Sequence, residues 1–162
     1  MDIYIIRHAI AEDKLPGKSD EERALTQQGK EKMKETANGF TRLEPEIDLI
    51  LTSPLVRARQ TAEIVNSVLR TRMEEMEELA PGFSPADVCG RLRQLKRIKS
   101  VALVGHEPNC SELMSYLLHG SGGMLIEFKK GGISLLQSDD CAAGSGALLL
   151  HLSPKVLRLM GS

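Results

Sequence analysis

Apolar residues along the chain fall into short unbroken runs and into longer stretches with a spacing of three to four residues. Unbroken runs at Asp2 to Arg7, Asp48 to Thr52 and Ser100 to Val104 predict strands, and the lack of alternation in the first indicates that it is buried on both faces. Between the last two, the helical spacing has its apolar positions at Leu55, Ala58, Ala62, Val65 and Leu69. Strands that alternate with helices in this way are typical of parallel α/β units.

The remaining pattern predicts further helices and a change of strand direction near the end. Thr26 can cap a helix that buries Met33, Ala37 and Phe40, and Ser53-Pro54 is a typical helix start with a cap and a first-turn proline. Further helices are predicted at Pro85 to about Lys96 and at Asn109 to His119. Further strands are predicted at Arg72 to Glu78 (a short edge strand), Ile126 to Phe128, Gly132 to Leu136 and Ala147 to Leu152.

These elements predict one domain over residues 1–162, with a three-layer αβα architecture and a mostly parallel but mixed central sheet. The 162 residues, 41% hydrophobic and 27% charged, suffice for a buried core. A net charge of −1 indicates no affinity for nucleic acid or for an anionic membrane. The apolar runs are too short to span a bilayer, and Arg7 and His8 interrupt the N-terminal one. A cytoplasmic location is therefore expected.

Neither metals nor cofactors are suggested by the sequence. Cys89, Cys110 and Cys141 are widely spaced in no CxxC arrangement, which favours three reduced thiols. The chain contains no Asp/His cluster with metal-ligand spacing and no Walker loop. We therefore expect an activity that needs no metal and no cofactor.

Two arginines and two histidines fall at the carboxyl ends of three predicted strands. Arg7-His8 ends the first strand, Arg57 lies in the first turn of the helix after the second, and His106 follows the strand Ser100 to Val104. In an open α/β sheet, ligands bind outside the carboxyl ends of the strands. Arginine forks grip phosphoryl oxygens, and an imidazole can act as nucleophile. Each residue alone is ordinary, but together they predict a phosphoryl site.

The same residues carry a family resemblance. Ile5-Ile6-Arg7-His8-Ala9 resembles the Arg-His-Gly signature of the histidine phosphatase superfamily, which includes phosphoglycerate mutases and acid phosphatases. Its other landmarks are resembled, in order, by Leu25-Thr26-Gln27-Gln28-Gly29, Thr52 to Ala62 and Val104-Gly105-His106-Glu107-Pro108-Asn109. The chain length and the tail from Phe128 to Pro154 resemble the small SixA-type phosphohistidine phosphatases of this superfamily. The resemblance implies a phosphoglycerate mutase-like fold without a large cap insertion.

The resemblance also implies roles for individual residues. His8 corresponds to the phosphorylated nucleophile, Arg7 and Arg57 to phosphate-binding arginines, and His106 to a second histidine that contacts the phosphoryl oxygens. Ala9 replaces the usual glycine, so the site can match only if this position needs no positive φ. The proton donor that relatives often carry has a single, weak counterpart here, Glu78.

A mechanism and a substrate follow from these roles. Neutral His8 would attack phosphorus in line with the leaving group while Arg7, Arg57 and His106 hold the equatorial oxygens, and water would then hydrolyse the phosphohistidine. The SixA-type resemblance implies a phosphohistidine-containing protein as substrate, such as a relay or phosphotransfer domain. Only residues 70–99 separate the Arg57 helix from the next long strand, which is too short for a cap over the active site. We therefore expect an active site that is open enough to receive a protein surface.

Two alternatives stay open at this point. An enzyme of the same superfamily could act on a small phosphate ester, as a phosphatase or a mutase, with Glu78 as its acid. A non-catalytic module could recognise phosphohistidine without cleaving it, although such a module has no use for the nucleophile His8. Turnover of phosphoramidate would separate an enzyme from a module that only binds.

Overall fold

The computed structural model describes residues 1–17 and 19–162. Within these residues six strands form one sheet, and five α-helices surround it. The strands are β1 (Asp2–Arg7), β2 (Leu49–Thr52), β3 (Arg72–Glu75), β4 (Ser100–Gly105), β5 (Ile133–Gln137) and β6 (Ala147–Leu152). The helices are α1 (Gln27–Thr41), α2 (Val56–Leu69), α3 (Pro85–Leu92), α4 (Asn109–His119) and α5 (Pro154–Gly161). None of the helices in the described part of the chain has the length and apolar character needed to cross a membrane.

The sheet is mixed, as the sequence predicts. Its order is β3-β2-β4-β1-β5-β6, and the pairs β3–β2, β2–β4 and β4–β1 are parallel. The last two strands run antiparallel to their neighbours, β5 to β1 and β6 to β5. β1 therefore lies near the middle of the sheet, between its parallel partner β4 and its antiparallel partner β5.

Alternate residues of the central strands pack into two separate cores. In β1, Ile3 and Ile5 face one core, which α3 and α4 complete with Leu92 and Leu113. Tyr4 and Ile6 face the other core, where they meet residues of α1, α2 and α5 such as Phe40, Val65 and Leu157. Unbroken apolar strands are what a sheet covered on both faces requires. The predicted three-layer αβα architecture is confirmed.

The predicted start of α2 is wrong. The helix begins at Val56, after the non-helical residues Ser53 and Pro54, and its N-cap residue Leu55 makes no side-chain cap. The Ser53 backbone instead extends the sheet, because its N–H donates to the Val104 carbonyl at 3.0 Å. The Ser53 hydroxyl lies 2.8 Å from His106 Nε2. Ser53 therefore belongs to the candidate site and does not cap the helix.

Other boundaries differ from the predictions for local reasons. Ile126 to Phe128 is not a strand, because the Phe128 carbonyl accepts a hydrogen bond from the Arg7 guanidinium rather than from a neighbouring strand. β3 ends at Glu75, and Glu77–Leu79 forms a 3₁₀ turn. α3 ends at Leu92, because the N–H groups of Gln94 and Leu95 bond three residues back in tight turns.

Helix α5 is not predicted by the sequence pattern. It has only eight residues, and Leu157 is its one buried side chain, so its apolar periodicity is too short to detect. The helix packs on α1 through two glycines. A Cβ atom on Gly39 would stand 1.7 Å from the Leu157 carbonyl oxygen, and one on Gly161 would stand 2.6 Å from the Gly39 nitrogen. Backbone contact at this crossing therefore requires glycine.

We predict that Gly39→Ala destabilises the protein by about 1–3 kcal/mol, because overpacking displaces α5 from α1. Urea unfolding, followed by circular dichroism, measures the change. Gly90→Ala is the matched control, since a Cβ there meets nothing closer than 3.9 Å and alanine favours a helix interior. The control should gain about 0.5–1 kcal/mol. Equal effects of the two changes would contradict the tight α1–α5 crossing.

Candidate active site

The predicted site residues lie together at the carboxyl edge of the sheet. Parallel pairing places Arg7 of β1 beside Gly105 of β4, and the His8 N–H donates to the Gly105 carbonyl at 2.9 Å. His8 and His106 therefore follow neighbouring strands at the same level. Their ring centroids are 5.1 Å apart, with the ring planes tilted by 53°.

The His8 ring is held in one tautomer. Its Nδ1 atom lies 2.7 Å from the Ala9 carbonyl oxygen, and since a carbonyl can only accept, Nδ1 carries the proton. The lone pair is then on Nε2. The Ala9 N–H donates to the Thr61 hydroxyl, and that hydroxyl donates to the Arg57 carbonyl, so α2 fixes this peptide. Ala9 does not have a positive φ, which removes the difficulty posed by the missing glycine.

His106 is oriented by a residue that the sequence analysis assigned to a helix cap. Ser53 follows β2 and places its hydroxyl 2.8 Å from His106 Nε2. The same hydroxyl oxygen accepts from the Leu55 N–H at 3.3 Å. When the hydroxyl proton is donated to Nε2, the proton of the neutral ring is on Nδ1. His106 Nδ1 is buried and has no hydrogen-bond partner among the described residues.

Arg57 is buried, with only 3% of its surface exposed, and it is held from the loop that follows β1. Its Nη1 donates to the Asp20 carbonyl at 2.7 Å, and its Nη2 donates to the Asp20 carboxylate at 2.9 Å. Burial raises the pKa of Asp20, but the charges of Arg57 and Arg23 outweigh it and hold that pKa below its ordinary value. The carboxylate therefore stays ionised and balances part of the arginine charge.

Three buried nitrogen atoms at the site have no hydrogen-bond partner in the part of the chain that the structure describes. They are Arg7 Nε, Arg57 Nε and His106 Nδ1. Arg7 is otherwise anchored through Nη1, which donates to the Phe128 carbonyl. The Nε atoms of Arg23 and Arg59 also have no partner among the described residues, so it is the grouping of Arg7, Arg57 and His106 around His8 that favours an anion site. An oxyanion supplies acceptors in the number and sign that these groups need.

Both imidazoles are neutral near pH 7. Burial lowers the pKa of His8 to about 4; the bond to Ala9 works against this shift, while the charges of Arg57 and Arg7 add to it. Burial and the neighbouring His8 lower the pKa of His106 to about 3. A neutral imidazole with a free nitrogen is a nucleophile, whereas an imidazolium is not.

Glu78, the weakest of the sequence candidates, also lies near the site. It is half-buried in the 3₁₀ turn and lines a small cavity together with His106, Gly105 and Asn109. Among the described residues, no group of three or more His, Cys, Asp or Glu side chains is arranged to hold a metal ion.

Comparison with known proteins gives matches along the whole chain. The model of the histidine phosphatase superfamily (branch 1) matches residues 3–81. An uncharacterized protein of Picosynechococcus sp. is 34% identical over 163 residues, covering 97% of this chain and 99% of the relative. Phosphohistidine phosphatase SixA of Escherichia coli is 29% identical, with 98% of each chain covered.

A solved structure has the same fold. The protein histidine phosphatase SixA complexed with tungstate superposes with a TM-score of 0.86 at 29% identity, covering 97% of this chain and 99% of that one. The predicted phosphoglycerate mutase-like α/β fold is therefore confirmed.

We predict that His8 and His106 titrate far below the ordinary imidazole pKa of about 6.5. Imidazole nitrogen shifts measured by NMR should give a midpoint near 4 for His8 and near 3 for His106. His8→Asn and His106→Asn assign the signals by removing them. Because the folded chain binds these protons less tightly than the unfolded chain, the free energy of unfolding should fall as the pH drops below about 6.5. A midpoint near 6.5 for His8 would mean that its ring is solvated.

Proposed function

The chain belongs to the histidine phosphatase superfamily, among its SixA-type proteins, and we propose that it removes the phosphoryl group from phosphohistidine in a protein substrate. Its membership makes it a phosphatase with a catalytic histidine. The observation that carries the proposal is a neutral His8 with a free Nε2 beside three unpaired buried nitrogens. The SixA relatives support the substrate class.

His8 is the proposed nucleophile. The bond from Nδ1–H to the Ala9 carbonyl leaves the Nε2 lone pair to attack phosphorus. An Nε2–P bond forms as the P–N bond of the substrate breaks, and the leaving imidazole nitrogen takes a proton from solvent. Water then attacks phosphorus, which releases phosphate and restores neutral His8. The low pKa of His8 means that no proton has to be removed before the first step.

Arg7, Arg57 and His106 are the proposed phosphoryl clamp. Their unpaired Nε and Nδ1 atoms would donate to the non-bridging oxygens, where negative charge gathers in the transition state. Donors already fixed by Phe128, Asp20 and Ser53 need little reorganisation when the oxyanion arrives. Tungstate, present in the SixA complex, is an oxyanion of similar charge, which supports a site of this kind.

The leaving group explains why phosphohistidine suits this site. A leaving imidazole has a conjugate acid of pKa about 6.5, so it can be protonated by solvent near neutrality. An alkoxide has a conjugate acid near the pKa of water, about 15.7, and needs a positioned acid. Because the proposed clamp has three members and the sequence offers only the weak candidate Glu78 as an acid, the balance favours phosphohistidine.

Cleavage of a small phosphate ester remains the second candidate function. The observation that favours it is the position of Glu78, half-buried and lining the same small cavity as His106. A carboxylic acid there could protonate a leaving alkoxide. The two functions therefore differ in whether Glu78 is needed.

We predict that turnover leaves an acid-labile phosphate on Nε2 of His8. Rapid quenching in alkali and mass spectrometry of the peptide that contains residue 8 detect it. His8→Asn should remove both the label and at least about a thousandfold of the phosphoramidate hydrolysis, because the covalent route is lost. His119→Asn, a change of an exposed histidine, serves as control. Phosphate trapped on His106 instead would reverse the assignment of the two histidines.

We predict that a phosphohistidine protein is a better substrate than an alkyl phosphate by at least about a hundredfold in kcat/KM, the scale of one acid–base contribution. Glu78→Gln should change the phosphohistidine reaction less than threefold. The four kcat/KM values, for two enzymes on two substrates, test the proposed function. If the alkyl ester is preferred and Glu78→Gln abolishes its cleavage, the second candidate function is correct.

A further inference from the structure

A cationic recess adjoins the candidate active site on the α1 and α5 side of the sheet. It is a cavity of about 550 Å³ that begins at Arg7. Its positively charged lining residues are Arg7, Lys32, Lys129, Lys130, Lys155 and Arg158. None of its lining residues is acidic within the part of the chain that the structure describes. The chain as a whole carries a net charge of only −1, so this concentration of one sign is local.

Much of this positive charge is not neutralised. Arg158 pairs with Glu35 at 3.6 Å, and Lys129 pairs with Glu127. Lys32, Lys130 and Lys155 form no ion pair with any described residue. The N-terminus of α5 adds partial positive charge at Pro154 and Lys155, since its N-cap Ser153 makes no side-chain cap.

The charges of the recess also act on His8 in the candidate active site. Arg7 lines the recess and belongs to the proposed phosphoryl clamp. The charge of Lys130, another lining residue, contributes to the lowered pKa of His8. A ligand that bridges the two sites would therefore place one negative group at His8 and others in the recess.

The form of the recess fits carboxylate side chains better than one compact polyanion. Apart from Arg7 and Arg158, its cations are lysines, whose ammonium groups are mobile point charges without the fixed fork of arginine. They come from α1, residues 129–130 and α5, so they surround the space rather than meet at one point. Ile10, Met33 and Pro154 provide apolar surface between them for the methylenes of Glu or Asp.

We propose that the recess binds an acidic segment of the protein that carries the phosphohistidine, next to the target residue. This inference rests on the proposed function and names a recognition feature of its substrate. Opposite charges beside an open site steer encounter and select partners.

Two phosphohistidine peptides of the same length test the inference, one with glutamates beside the phosphohistidine and one with glutamines in their place. Wild-type enzyme should prefer the glutamate peptide by about tenfold in kcat/KM at low salt, and the preference should shrink at high salt. Lys32→Glu combined with Lys155→Glu should abolish the preference. Lys34→Glu combined with Lys96→Glu is the matched control, because it changes the net charge equally and both lysines are exposed and do not line the recess.

Phosphoramidate is the internal check, since it is too small to reach from His8 into the recess. Its kcat/KM should stay within twofold in the double variant, which also shows that the variant is folded. Equal cleavage of both peptides by wild-type enzyme would overturn the inference while leaving the proposed function intact. An equal loss of preference with Lys34→Glu combined with Lys96→Glu would also overturn it, because the effect would then be one of general surface charge.

Failure of the proposed function gives a different result. The enzyme would then hydrolyse phosphoramidate but neither peptide. In that case the unphosphorylated glutamate peptide is tested as an inhibitor of phosphoramidate hydrolysis, with the glutamine peptide beside it. Inhibition by the glutamate peptide alone supports acidic recognition in the recess; inhibition by inorganic pyrophosphate but by neither peptide assigns the recess to small polyanions and overturns the inference.

Discussion

The parallel pairing of β1 with β4 is the constraint on which the candidate site depends. It places Arg7 opposite Gly105 in register, so the residues that follow each strand, His8 and His106, emerge side by side. The third contributor, α2, is tied to the same edge by the bond from Ser53 N–H to the Val104 carbonyl. A shift of one residue between β1 and β4 would turn every side chain of the shifted strand to the opposite face and separate the two histidines.

Burial at this edge resolves a conflict between two electrostatic needs. A phosphoryl group requires positive charge nearby, while a nucleophilic imidazole has to remain neutral. Burying His8 beside Arg7 and Arg57 satisfies both, because desolvation and the charges of the two arginines lower the pKa of the imidazole to about 4. The cost is a set of buried donors that have no partner among residues 1–17 and 19–162, and a bound oxyanion would relieve it.

Prediction from the sequence succeeded where one-dimensional patterns determine the outcome. The unbroken apolar runs located β1, β2 and β4, and their carboxyl ends located Arg7, His8, Arg57 and His106. Prediction failed where a contact between residues distant in sequence determines the local structure or the role of a side chain. The local sequence at Ser53 predicts a helix cap, but in the fold its hydroxyl contacts His106, which is 53 residues away. The local sequence at Ile126 to Phe128 predicts a strand, but the Phe128 carbonyl accepts a hydrogen bond from Arg7. Nothing in the polar loop singled out Asp20 as the partner of Arg57.

The charges around the site suggest why a recess of cations should adjoin it. A phosphoryl group carries close to two negative charges near neutrality. Arg57 and Arg23 share the single carboxylate of Asp20, and both imidazoles are neutral, so the pocket has only a modest positive excess. More positive charge inside the pocket would press the pKa of His8 lower still and make Nε2 a poorer nucleophile. Cations placed beyond Arg7, in the solvated recess, attract an anionic substrate at longer range, and the charge of Lys130 there lowers the pKa of His8 less than the charges of Arg57 and Arg7 do.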